Sequence, residues 1–221
     1  MLKRDSSYLQ IAFNLDLQEV KKMVNLLPSS ERILIEAGTS FIKRYGQRGI
    51  LELKRLWSDK LNQDGYIVAD LKIADRGARE VEIAAQAGAS AVTCLGLSHP
   101  KTIDYFVQKC EELNIDSMVD MLNVSFPFQV LQSLRKMPKI IVLHRGVEEW
   151  ERSKKEIPYD QIHRILGVYD NVLISIAGGE TLHDVQEAIF NDASIAVTWR
   201  AFAESPEKTA ILADRFLEEL R

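Results

Sequence analysis

Apolar residues along this chain fall into short runs of β-type composition. These alternate with longer stretches in which apolar positions recur every three or four residues. The short runs predict strands over 9–13, 33–36, 66–70, 91–95, 116–120, 140–144, 172–177 and 194–198. The helical period predicts helices between them, among others over 79–87, 99–113, 128–136, 182–190 and 207–220. Eight strands, seven intervening helical stretches and a closing helix fit an α/β fold, a (β/α)8 TIM barrel in one domain over residues 1–221. An open doubly wound sheet is the competing arrangement, but no G-x-G-x-x-G follows the first strand. No linker, low-complexity tract or shift of composition divides the sequence.

Composition narrows the function classes. Hydrophobic residues make up 46% and charged residues 27% of the 221, enough for a sizeable core. A formal charge of −4 and a pI near 5.7 argue against nucleic-acid binding while leaving room for a local basic phosphate pocket. No apolar run approaches the roughly 18 residues of a membrane span. The start, Met1-Leu2-Lys3-Arg4-Asp5, has no apolar segment of a secretory leader, so a cytoplasmic location is expected. Cys94 and Cys110 have no metal-ligand or C-x-x-C spacing and are expected as free thiols.

In such barrels chemistry collects where strands end and βα loops begin. Polar residues gather at those predicted positions: Asn14 and Asp16, Glu36, Asp70 and Lys72, Asp120 and Asn123, His144 and Arg145, Gly178-Gly179, and Arg200. Any one of them could cap a helix. Their convergence on one rim points to a site. Asp70-Leu71-Lys72-Ile73-Ala74-Asp75 is the sharpest case, because an apolar run delivers two carboxylates and an amine at its end. Buried charges are costly unless they neutralise one another or hold a ligand. Glu36 and Asp70 close neighbouring strands, so their repulsion raises one pKa unless a cation intervenes. Lys72 and a Mg2+ ion are the two candidates, Mg2+ favouring one or two carboxylates with water and substrate oxygens around it.

Asp75, three residues beyond Lys72, is expected either to cap the next helix or to reach across a subunit boundary. His144 is a candidate for proton transfer or for buried packing, whereas His99, His163 and His183 are expected at the surface. Gly178 and Gly179 let a ligand approach the backbone before a helix that begins near Thr181. With Arg200 they predict a phosphorylated substrate.

These motifs resemble the orotidine 5′-monophosphate decarboxylase superfamily, in particular its 3-hexulose-6-phosphate synthase and 3-keto-L-gulonate-6-phosphate decarboxylase branches. The resemblance rests on Ala69-Asp70-Leu71-Lys72-Ile73-Ala74-Asp75, with Leu9-Gln10-Ile11-Ala12, Glu36-Ala37-Gly38-Thr39, Val92-Thr93-Cys94-Leu95-Gly96, Val119-Asp120-Met121-Leu122-Asn123-Val124 and Ala177-Gly178-Gly179 in the same order. It implies Mg2+ on Glu36 and Asp70, with Asp70, Lys72, Asp75 and His144 in catalysis. Asn14, Asp120, Arg145, Gly178, Gly179, Trp199 and Arg200 would bind a sugar phosphate. It also implies a homodimer in which Asp75 enters the partner's site. Asp120-Met121-Leu122-Asn123-Val124 looks like the synthase, an aldehyde-lyase joining formaldehyde and ribulose 5-phosphate through an enediolate. His144-Arg145 is nearer the decarboxylase, a carboxy-lyase.

Two positions depart from the pattern. Asn14 stands where the family usually has aspartate, and Asp16 substitutes for that charge only if the strand runs on to it. Trp199 stands where glycine is usual. These changes leave a third reading, a catalytically altered barrel that binds a sugar phosphate in a regulatory or partner role.

Overall fold

The computed structural model describes residues 1–146, 159–179, 181–198 and 205–219. Its strands are β1 (Tyr8–Phe13), β2 (Ile33–Ala37), β3 (Ile67–Ile73), β4 (Ala91–Leu95), β5 (Asp116–Asp120), β6 (Ile140–His144), β7 (Leu173–Gly179) and β8 (Ile195–Thr198). All pair in parallel with their neighbours in chain order, and β8 closes on β1 through Tyr8–Ile195 and Gln10–Val197. The helices are α1 (Leu17–Leu26), α2 (Thr39–Leu61), α3 (Gly77–Gln86), α4 (Pro100–Glu112), α5 (Pro127–Gln132), α6 (Asp160–Leu166), α7 (Leu182–Phe190) and α8 (Pro206–Glu219). The fold is the (β/α)8 barrel that the alternation of periods predicts.

Side chains along each strand point alternately to two cores. Outward residues such as Leu9, Ile11, Ile33, Ile35, Ile67, Val92, Ile141 and Ile174 join the core shared with the helices. Inward residues Tyr8, Leu34, Val68, Ala91, Met118, Ile140, Leu173 and Ile195 fill the barrel interior. One step of two residues further along the inner face changes the chemistry: Gln10, Glu36, Asp70, Thr93 and Asp120 follow. The barrel is therefore apolar inside and charged at its C-terminal mouth.

The helix predicted over 128–136 is shorter than its pattern suggests and ends at Gln132. Beyond it the backbone N–H groups of Arg135 and Lys136 donate to Asp104 Oδ1 at 2.8 and 3.1 Å, a side-chain partner that replaces a further helical turn. Both cysteines are buried free thiols.

Phe106 on α4 is fully buried against the start of α3, where a Cβ on Gly77 would lie 3.0 Å from the Phe106 Cβ. Phe106→Ala is expected to destabilise the barrel by about 3–5 kcal/mol through the cavity it leaves. Urea denaturation reads this directly, and a loss below ~1 kcal/mol would show that this helix layer is not closely packed.

Candidate active site

A cavity of about 680 Å³ opens at the C-terminal mouth. Asn14, Glu36, Asp70, Lys72, Asp120, His144, Arg145, Gly178 and Gly179 all line it. Trp199 and Arg200 lie outside the described residues.

Strand β3 runs three residues past its predicted end and carries Lys72 into the rim. Lys72 Nζ donates to Asp70 Oδ1 and Oδ2 at 2.9 and 2.8 Å and to Asp120 Oδ2 at 3.2 Å. Asp120 in turn faces His144 Nδ1, 2.9 Å from each of its oxygens, and accepts the Leu122 N–H at 3.0 Å. One ammonium thus grips two carboxylates from different strands, and the second of these fixes an imidazole by one nitrogen. Among the described residues no hydrogen bond is made to His144 Nε2, the nitrogen that can carry or accept a proton for a ligand.

The hydrogen bonds fix the charges as well as the geometry. Burial pulls the Lys72 ammonium toward deprotonation, but Asp70, Asp120 and Glu36 outweigh it and hold the group charged. Burial likewise pushes the Asp120 carboxyl up; the hydrogen bond and charge of His144, with Lys72 and the Leu122 N–H, bring it below its ordinary value. Glu36 is different. Burial first and the Asp70 charge second raise it from 4.5 to about 7, against the opposing pull of Lys72, Gln10 and His144.

Three neutral residues that sequence reasoning passed over complete this network. Gln10 Nε2 donates to Glu36 Oε2 at 2.5 Å. Thr39, the first residue of α2, donates to Asp70 Oδ2 at 2.6 Å. Thr93 donates to Asp70 Oδ1 at 2.8 Å. The signal for Gln10 and Thr93 was their place on the inner face of β1 and β4, two residues past an apolar neighbour.

Asn14 takes a role that its identity permits. Its Oδ1 accepts the Ser40 N–H at 3.1 Å, in the first turn of α2. A Cβ on Gly38 would lie 2.5 Å from that oxygen, so a larger residue there would displace the Asn14 side chain. Asp16 does not replace an acid at position 14, because β1 ends at Phe13 and Asp16 caps α1 in a capping box with Glu19. Asp75 caps nothing. Arg76 occupies the N-cap of α3 without a side-chain bond, while Asp75 is exposed and outside the cavity lining of its own barrel. His99, His163 and His183 are exposed as expected, and His99 caps α4 through the Lys101 N–H.

Across the mouth, a different chemistry gathers at the ends of β6 and β7. The Arg145 guanidinium is buried and donates to the Gly178 carbonyl oxygen. Gly178 has φ +101°, and a Cβ there would collide with the Arg145 carbonyl oxygen. Only glycine fits this turn. Thr181 and Asp184 then form the capping box that begins α7.

The donor set suits a hard divalent cation. Glu36 and Asp70 supply carboxylate oxygen from adjacent strands, and Glu36, raised by burial first and the Asp70 charge second, has no cation bonded to it among the described residues. Among the described residues there is no cluster of three or more His, Cys, Asp or Glu able to form an all-protein cage. Two carboxylates open to a cavity match Mg2+, which keeps several positions for water and substrate.

The raised Glu36 carboxyl has a definite consequence for stability. The folded chain keeps this proton between pH 4.5 and about 7, where the unfolded chain has lost it. The contribution, on the order of 3 kcal/mol, is fully present below the unfolded pKa and disappears as pH rises through the folded one. Glu36→Gln, measured in chelator by denaturation between pH 4.5 and 7.5, should flatten that descent. A variant with the parental slope would show that burial does not act on this carboxyl.

Residues 7–212 match the Orotidine 5′-phosphate decarboxylase / HUMPS family. The bifunctional enzyme Fae/Hps of Methanothrix thermoacetophila is 35% identical over 218 residues, covering 98% of this chain. The alignment takes in 53% of that relative, so the chain spans about half the length of the curated relatives it matches. A crystal structure of 3-hexulose-6-phosphate synthase superposes with a TM-score of 0.80 at 25% identity, covering 95% of this chain and 99% of the other. KGPDC from Streptococcus mutans superposes with a TM-score of 0.76 at 20% identity, covering 98% and 99%, a likeness of fold. By sequence match over nearly its whole length, the chain belongs to the orotidine 5′-phosphate decarboxylase / HUMPS family.

Proposed function

We propose that this barrel is a carbon–carbon lyase of the 3-hexulose-6-phosphate synthase type, catalysing the reversible aldol reaction of ribulose 5-phosphate with formaldehyde. The observation that carries the reading is the chain of contacts from Asp70 through Lys72 and Asp120 to His144. The Fae/Hps relatives and the synthase fold support it. The sugar phosphate spans the mouth, its phosphate toward Arg145, Gly178 and Gly179 and its reacting end toward Lys72; Trp199 and Arg200 are proposed as further phosphate ligands. Asn14 lines the same cavity and offers an amide to a sugar hydroxyl.

Glu36 and Asp70 would hold Mg2+, which when bound would supply Lewis-acid stabilisation of negative charge on the sugar's oxygens. His144 Nε2 takes a proton from C1 of ribulose 5-phosphate, giving an enediolate. Lys72, kept cationic by its carboxylates, faces that developing charge. C1 then attacks the carbon of formaldehyde; a carbon–carbon bond forms and the carbonyl electron pair moves onto oxygen. His144 returns its proton to that oxygen, so the enzyme ends the cycle unchanged. Asp120 holds the imidazole tautomer throughout and stabilises its protonated form.

Asp75 belongs to this reading as a residue contributed to a second copy. It is an exposed carboxylate just beyond β3, outside the described lining of its own barrel's cavity. The functional unit is then a homodimer with shared sites. No helix among the described residues is long and apolar enough to cross a membrane.

Purified protein given Mg2+ and ribulose 5-phosphate should consume formaldehyde, and complete chelation should abolish turnover. Release of carbon dioxide from 3-keto-L-gulonate 6-phosphate in place of formaldehyde chemistry would move the assignment to the carboxy-lyase. Ligand binding with neither activity would make the chain a sugar-phosphate-binding relic. Lys72→Ala should lower kcat by about 10²–10³-fold, the effect of losing one preorganised electrostatic group. Mixing Asp75→Ala with Lys72→Ala subunits should recover part of the activity that each variant lacks, whereas additive inactivity in the mixture would refute a shared site.

A further inference from the structure

Lys72 adopts φ +46°, a left-handed conformation that a long side chain rarely takes. Around it β3 slips in register against β4: Ala69 is level with Val92, but Ile73 is level with Cys94. An advance of four residues along β3 thus matches an advance of two along β4. Such a bulge re-aims side chains and leaves backbone groups without ladder partners.

The Lys72 N–H finds its partner in a side chain. It donates at 2.9 Å to Thr93 Oγ1, on the inner face of β4. The same hydroxyl donates its own hydrogen to Asp70 Oδ1 at 2.8 Å. Thr93 is 4% exposed and lines the cavity beside Asp70 and Lys72. One buried hydroxyl therefore ties the irregular backbone of Lys72 to the carboxylate that its ammonium grips. Valine would have almost the same shape and make neither bond.

We propose that Thr93 is the positioning residue of the Asp70–Lys72 pair, holding the bulge in β3 that aims the ammonium into the cavity. It acts through the backbone N–H of Lys72 and the Asp70 carboxylate. The proposal rests on the lyase reading only in naming that pair as the reacting centre. Asp70 also has Thr39 on its other oxygen, so loss of Thr93 leaves the carboxylate in place while releasing the Lys72 backbone.

Thr93→Val and Thr93→Ala test the loss of the hydroxyl, and Thr93→Ser restores it. With the full chain and Mg2+, each hydroxyl-less variant should lose about 10–100-fold in kcat, the usual effect of removing a group that orients a reacting one. KM for ribulose 5-phosphate should stay near the parental value, since phosphate contacts lie across the mouth. Thr93→Ser should return most of the rate. Amide hydrogen exchange at Lys72 supplies a readout independent of turnover: faster in the valine and alanine variants, protected in the serine variant.

Parental kcat in a folded valine or alanine variant would overturn the proposal, as would unchanged Lys72 exchange. Failure of serine to restore rate and protection would also overturn it. Should the parent protein lack lyase activity, the functional reading fails by itself, and the exchange pattern still decides the role of Thr93.

Discussion

Three buried carboxylates, on Glu36, Asp70 and Asp120, reach the inner rim where, among the described residues, the ammonium of Lys72 is directly bonded to two of them. Excess negative charge in a low-dielectric wall is the constraint around which the mouth is organised, because each uncompensated charge there is costly. Asp120 is relieved by Lys72 and His144, and Asp70 by Lys72 and two threonines. Glu36 is met by the neutral amide of Gln10, and its proton is correspondingly hard to remove. A divalent cation would complete the neutralisation. A phosphate, by contrast, would be repelled by this acidic arc. The arginine and glycine turn that could receive it sits at the ends of β6 and β7, across the mouth from β2 and β3. Separating the two halves of the rim lets one cavity attract both a cation and an anionic substrate.

The same separation depends on a regular feature and an irregular one. Alternation along parallel strands brings a residue from each strand to the interior, and two residues of advance change it from core to rim. That regularity puts Glu36, Asp70 and Asp120 at the mouth without special devices. Lys72 needs more, because a long side chain two residues beyond Asp70 would otherwise continue straight out along the strand. The left-handed turn at Lys72 folds it back onto Asp70, and the cost of that conformation is borne by bonds that neighbouring strands supply.

This division explains what the sequence made legible. The eight strands and the charged positions at their ends follow from period and composition, and strands 91–95, 116–120 and 140–144 coincide with β4, β5 and β6 residue for residue. Gln10, Thr39 and Thr93 stand within the motifs that carry the resemblance but are not singled out as site residues, because neutral polar residues inside or beside an apolar run carry no charge to flag them. The end of β3 was placed too early for a related reason: alternation describes an ordinary strand, and a bulge breaks it. Asp16 and Asp75 show the converse. Both are acids near strand ends, yet one caps a helix and the other is exposed, a difference set by where the backbone turns rather than by residue type.

Asn14 brings these threads together. As a departure from the family's aspartate it reads in sequence as a lost charge. In the fold its oxygen meets an orphan N–H at the start of α2, a bond that asparagine and aspartate make about equally well. Gly38 packs so closely on this side chain that the position is fixed in shape as well as in hydrogen bonding. An amide at this position therefore serves the helix and the shape of the rim with an acceptor toward the α2 backbone, while adding no negative charge to a mouth whose described residues already include three buried carboxylates. Lys72 is shared between Asp70 and Asp120, and Asp120 couples it to His144, so the amide at position 14 stands beside the charge network rather than within it.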